Sequence, residues 1–231
     1  MFWNAQKWHT EGVRLLRENQ FNAAIDAFTK SIDKGSGTPL GAYYNRALAI
    51  VGKVQEEAPQ KSSEEEAVAF ANRHLNLAIA DLSNAVEYLK IFGDQGEFKI
   101  VDFYMARVDC HILMQEVQKG FADLNEVIRL EPNNADAYQM RGYFHLDKMD
   151  DPATAIGDLS RAITIMPSAQ SYLTRAWAYL DLNDEEKAGA DFERAIRLDP
   201  VAKTADRSRS IYRFRMWEHF RENFLRTHPR L

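Results

Sequence analysis

Cysteine is nearly missing: Cys110 stands alone in 231 residues, so no disulfide can close within the chain. A reducing, cytoplasmic setting is the expectation. Long apolar runs are missing too. Nothing approaches the roughly 18 residues that cross a bilayer, and the opening Met1-Phe2-Trp3-Asn4-Ala5-Gln6-Lys7-Trp8 holds no apolar stretch of signal-peptide length. With only 11 glycines and 7 prolines, collagen-like and low-complexity architectures are excluded, while 45% hydrophobic residues suffice for a sizeable core. Catalytic signatures are lacking as well. The six histidines form neither an HExxH motif nor an i, i+4 pair, Gly35-Ser36-Gly37 is followed by no Lys-Ser/Thr, and no GxSxG elbow occurs. The expectation is therefore no enzyme, no cofactor and no metal.

Charge is unevenly spread. The chain carries a net −5, yet residues 201–231 hold eight basic side chains against three acidic ones, a surplus of +5 that leaves −10 on the first 200. A body so acidic argues against a nucleic-acid coat.

What the chain does have is repetition. Tyr43-Tyr44-Asn45-Arg46-Ala47, Tyr104-Met105-Ala106-Arg107-Val108, Tyr138-Gln139-Met140-Arg141-Gly142 and Tyr172-Leu173-Thr174-Arg175-Ala176 share an aromatic, an Arg three later and a residue after it that is usually small; the last three recur every 34 residues. A second block follows each: Ala78-Ile79-Ala80-Asp81-Leu82, Gly120-Phe121-Ala122-Asp123-Leu124, Ala155-Ile156-Gly157-Asp158-Leu159 and Ala188-Gly189-Ala190-Asp191-Phe192. Pro132, Pro167 and Pro200 close the last three repeats, and Trp8, Gly12, Leu15, Ala24, Phe28 and Ser31 form an imperfect first copy.

Each block spaces its apolar residues for one face of a helix, so each repeat reads as a helical hairpin. Gly142 and Ala155 belong where two helices cross closely, with Leu159 and Tyr138 filling around them. Asp151-Pro152 suits an N-cap and first helical position, and Asn183 with Glu186 suggests a capping box.

These residues at this period resemble the tetratricopeptide repeat family over residues 5–200. The resemblance implies an all-α, right-handed solenoid of about five hairpins (5–38, 40–92, 101–134, 135–168, 169–202), followed by a basic amphipathic segment at 203–231 expected to cap the array. The second repeat carries an insertion near 53–72, expected to be part mobile loop and part helical extension rather than a binding element, with Ser63 placed to cap a lengthened helix. Arg46, Arg107, Arg141 and Arg175 share one repeat position, and Asp81, Asp123, Asp158 and Asp191 another. The first copy has Glu11 and Ala27 there, losing both partners together. Ion pairs within each hairpin are the simpler account, and an Arg row gripping an acidic ligand is the competing one.

The resemblance further implies an adaptor or scaffold that binds a peptide or helix in a concave groove lined by the first helices. The groove positions carried over are His9, Tyr44, Asn45, Leu48, Met105, Asp109, Gln139, Tyr143, Leu173 and Trp177. Of the family's carboxylate clamp only Asn45 is matched; Asp102, Ala106 and His9 supply no Lys or Arg, which argues against an acidic tail as ligand. Aromatic and Met side chains, with Asp136, Asp147 and Asp181 nearby, suit an apolar or basic partner. Competing readings are a helical-repeat RNA binder, which the acidic body opposes, and a scaffold self-assembling through the C-terminal segment, where Ile211, Phe214, Trp217, Phe220 and Phe224 share a helical face.

Overall fold

A computed structural model describes residues 2–35 and 39–199, with side chains from residue 5 onward. The segment expected to cap the array, 203–231, lies outside the described residues, as does Pro200. The described residues form two compact units, one up to Leu130 and one from Glu131 onward.

The first unit holds three hairpins: α1 (Phe2–Arg17) with α2 (Phe21–Lys34), α3 (Leu40–Glu57) with α4 (Glu64–Phe92), and α5 (Ile100–Leu113) with α6 (Val117–Leu130). The second holds two: α7 (Ala135–Asp147) with α8 (Pro152–Ile165), and α9 (Ala169–Asp181) with α10 (Glu185–Leu198). Within each unit every second helix packs on the next first helix, and successive first helices lie side by side: α1 beside α3 beside α5, and α7 beside α9.

The crossings need small residues. A Cβ on Gly142 would stand 2.7 Å from Leu159 Cγ and 3.3 Å from the Ala155 carbonyl, so only glycine lets α7 and α8 approach this closely. Gly12 against Phe28 repeats the arrangement in the first hairpin. The turns repeat as well. Asn19, Gln115, Asp150 and Asn183 all have φ between 54° and 59°, and each sits at the bend between the two helices of a short hairpin. Asn and Asp tolerate this left-handed geometry better than other side chains.

Capping matches expectation at Asp151, whose carboxylate accepts from the Thr154 amide ahead of Pro152, and at Ser63, whose hydroxyl accepts from the Glu66 amide. It differs at the last hairpin: Asn183 takes the left-handed bend, so Asp184 is the N-cap, accepting from the Lys187 amide. The insertion meets expectation in part. The helical extension is there, in both helices, with 18 residues in α3 and 29 in α4, but a short 3-10 turn at Ala58–Gln60 stands where a loop was expected. Ser63 and the glutamates at the start of α4 favour this helix, the latter by offsetting its N-terminal dipole.

Candidate peptide-docking face

The Arg and Asp positions meet within each hairpin. In every pair the guanidinium binds the carboxylate through two parallel bonds: 2.7 and 2.8 Å for Arg46–Asp81, 2.7 and 2.6 Å for Arg107–Asp123, 2.8 and 2.7 Å for Arg141–Asp158, 2.7 and 2.8 Å for Arg175–Asp191. The third nitrogen is also engaged. Arg46 Nη1 donates to Thr29 Oγ1, Arg107 Nη1 to Ser83 Oγ and Arg175 Nη1 to Ser160 Oγ, each on the second helix of the preceding hairpin. Arg107, Arg141 and Arg175 lie over the rings of Tyr104, Tyr138 and Tyr172, the aromatics three residues before them. The Arg row is therefore structural, each guanidinium committed to bonds inside the protein. Sequence reasoning found the pairs but missed the hydroxyls at Thr29, Ser83 and Ser160; their signal was a polar residue two positions after each Asp or, in the first hairpin, after Ala27.

The first-helix face of the first unit gathers much of the expected site. The Asn45 amide and the His9 ring nitrogen Nε2 are hydrogen-bonded at 3.1 Å. Burial lowers the His9 pKa, against smaller opposing effects of the Gly41 backbone and Glu97. The neutral imidazole is favoured. Tyr44 stands edge-on to Phe103 with centroids 5.5 Å apart, and its phenol is pushed up by burial and then by the carboxylates of Asp102 and Asp109. Asp109 remains open to water yet is walled by enough protein for burial to raise its pKa, and among the described residues no cation pairs with it. Leu48 and Met105, both half-buried, follow on this face because Leu48 lies four residues from Tyr44 and Met105 four before Asp109.

At the edge of this face, a cavity of about 380 Å³ is lined by His9, Gly41, Glu97 and Phe98 among others. Phe98 was not foreseen. It comes from the turn after α4, where Gly93 and Gly96 take φ of 71° and 61° and Gln95 pairs with Phe98. The ring packs so closely on Gly41 that a Cβ there would sit 2.9 Å from its Cζ. The Gly-Asp-Gln-Gly run signalled a turn, but nothing in it said where the ring would land.

In the second unit the expected residues divide. Gln139 is held by α9, its side-chain oxygen accepting from Ser171 Oγ at 2.6 Å and Ser168 Oγ at 3.0 Å. Tyr143, one turn on, is half-buried. Leu173 is fully buried in the last hairpin's core with Ala176, Phe192 and Ile196, so it cannot meet a ligand as carried over. Trp177 is half-buried and edge-on to Phe192 at 5.0 Å, which gives it a packing role whatever else it does. Asp147 is buried and bound to Lys148 at 2.9 Å, so of the three acidic residues expected near the site only Asp136 and Asp181 are exposed.

Burial pushes the Cys110 thiol up to about 12, and among the described residues no cluster of three or more His, Cys, Asp or Glu could hold a metal ion. No described helix is long and apolar enough to cross a membrane.

Comparison with known proteins agrees with this geometry. A tetratricopeptide repeat family model matches residues 169–201, the α9–α10 hairpin. The DnaJ homolog subfamily C member 7 homolog of Schizosaccharomyces pombe is 22% identical over 86% of this chain, which covers 49% of that protein's length. Human tetratricopeptide repeat protein 13 is 28% identical over 38% of this chain and 11% of its own. The chain thus spans about half or less of these relatives. Among solved structures, MamA aligns with a TM-score of 0.64 at 18% identity, covering 86% of this chain and 93% of that one. YrrB, described as a TPR protein with an unusual peptide-binding site, aligns with a TM-score of 0.55 at 15% identity over 84% of this chain and 86% of its own. Helical hairpins, four of them closed by an Arg–Asp pair at one repeated position, and a direct match on the last lead to one assignment: residues 169–201 are a tetratricopeptide repeat, and the chain shares the fold of tetratricopeptide repeat proteins.

Proposed function

We propose that this chain is a non-enzymatic adaptor whose first-helix faces hold an apolar or basic peptide segment of a protein partner. Tetratricopeptide repeats serve protein–protein interaction, and YrrB, which shares this fold, is described as having a peptide-binding site. The observation that carries the finer reading is Asp109: a carboxylate on the first-helix face, open to water, beside the Tyr44 ring and with no cation of its own among the described residues. A lysine or arginine of a partner would meet a carboxylate there with an aromatic ring alongside. On the first unit Tyr44, Asn45, Leu48 and Met105 would supply the apolar and hydrogen-bonding contacts, and on the second unit's own first-helix face Tyr143 and Trp177 would do so. The setting is cytoplasmic.

Panning a random displayed-peptide library on the full chain tests this. Enriched sequences should combine Lys or Arg with Leu, Phe or Met, and Tyr44→Ala with Asp109→Asn should lose them while keeping a cooperative melt. Enrichment of acidic C-terminal sequences, or capture unchanged in that double variant, would overturn the reading.

A further inference from the structure

The insertion of the second hairpin builds a cavity of its own. It lengthens the Arg46-to-Asp81 separation to 35 residues, against 16 for Arg107 to Asp123, yet both pairs close with the same two-bond geometry. The hairpin therefore reaches its ion pair with or without these residues. What they add is a cavity of about 460 Å³ between the end of α3, the 3-10 turn, the start of α4 and the α5–α6 turn. Its size falls in the range of about 300–1,000 Å³ typical of ligand clefts.

The walls are mostly apolar: Val54, Pro59, Val68, Ala71, Leu113 and Met114. Val68 is 46% exposed, an uncovered branched side chain at the cavity, and Met114 is a side chain that adapts to what packs on it. The segment is acidic as well. Glu64 lines the cavity, and Glu56 and Glu65 stand on the same inserted segment without lining it. All three are exposed, and among the described residues none has an ion-pair or hydrogen-bond partner for its carboxylate. The two lysines of the segment are turned to another task, with the Lys61 and Lys53 ammonium groups 4.2 and 5.6 Å from the Phe70 ring centroid. An apolar slot beside unneutralised carboxylates complements a segment with large apolar side chains flanked by basic ones.

We propose that the inserted segment of α3 and α4 is a second docking site, separate from the first-helix face, that takes a basic amphipathic segment of a protein partner. The apolar residues of that segment enter the slot between Val68 and Met114, and its lysines or arginines face Glu64, Glu65 and Glu56.

Fluorescence anisotropy of the full chain with a labelled 14-residue amphipathic peptide, Leu and Phe on one face and Lys on the other, tests it; a Glu-for-Lys twin and a Ser-for-Leu/Phe twin serve as controls. In a chain that also carries Tyr44→Ala and Asp109→Asn, which empty the first-helix face, Val68→Arg adds a repelling charge at an exposed position, so the fold is kept; it should weaken binding of the Lys peptide about tenfold or more, the scale of a lost hot spot. Glu64→Gln with Glu65→Gln should weaken it less and flatten its salt dependence. Neither twin should bind comparably. Tyr44→Ala with Asp109→Asn alone should leave binding at the insertion intact, so a complete loss of binding in that pair would overturn the second site while supporting the first. Binding unchanged in Val68→Arg would overturn the proposal. So would sedimentation showing a self-associated chain that Val68→Arg dissociates, since the slot would then be occupied by a second copy.

Discussion

Arg46 is the most buried arginine of the four ion pairs, its side chain 9% exposed and that of its partner Asp81 5%. A guanidinium and a carboxylate taken out of water gain little net stability over an apolar pair of the same shape, but removing one strands the other. Arg46→Ala should therefore cost about 3–5 kcal/mol in urea unfolding, and Arg46→Met with Asp81→Leu markedly less. Equal losses would mean that Asp81 reaches water once its partner is gone. A different carboxylate reports through pH. Hydrogen bonds from the Thr154 side chain, then its backbone amide, hold the Asp151 pKa below the ordinary value. A depressed folded pKa means that the cap's contribution is whole above the unfolded value, about 3.9, and disappears as pH falls through the folded one. The melting-temperature gap between wild type and Asp151→Asn, whose cap does not titrate, should thus narrow between pH 5 and 2, whereas a gap constant with pH would show that the charge contributes nothing.

Helices of this protein cross at glycine or alanine, and two glycines of the fourth hairpin separate space from backbone freedom. Gly142 faces Leu159 at a distance that leaves no room for a Cβ, whereas a Cβ on Gly157, on the exposed side of α8, would meet nothing within 4 Å. Gly142→Ala should destabilise by about 1–3 kcal/mol through overpacking. Gly157→Ala should stabilise by up to about 1 kcal/mol, because alanine forfeits less conformational entropy in a helix. Thermal melts that shift in opposite directions are expected; a shift in the same direction would mean that helix propensity, not the crossing, governs the hairpin. At this scale much was legible. Periodicity marked the hairpins, and the joint loss of Arg and Asp in the first copy identified the pairing within a repeat. The cap of α10 was misplaced by one residue because the bend needs a left-handed residue before it, and Asn183 suits either post.

Across the whole molecule the repeat dictates which residues must stay and which can go. The insertion lies outside the hairpin's closing contacts, so excising residues 54–72 restores the 16-residue spacing of the Arg107–Asp123 and Arg175–Asp191 pairs, with Arg73 changed to Asn to make the left-handed bend. A cooperative melt and high helicity by circular dichroism are expected to survive, together with loss of the Lys-peptide binding assigned to the inserted slot. Collapse into a non-cooperative state would show instead that the extended helices hold the first unit together. The repeat, the hairpins and the four ion pairs could be read from the chain because they depend on residues close in sequence and repeated in register, where i, i+3 and i, i+4 spacing assigns each a face. The site was legible only in part. Tyr44, Asn45 and Leu48 hold their place on a first-helix face, but Leu173, from the same kind of position, is covered by Phe192 and Ile196, and Asp147 is withdrawn against Lys148. Phe98 reaches Gly41 and His9 from a turn more than fifty residues along the chain. Whether a side chain serves core or surface depends on which neighbouring element packs over it, and that is set by the packing of distant segments, which helical period does not encode.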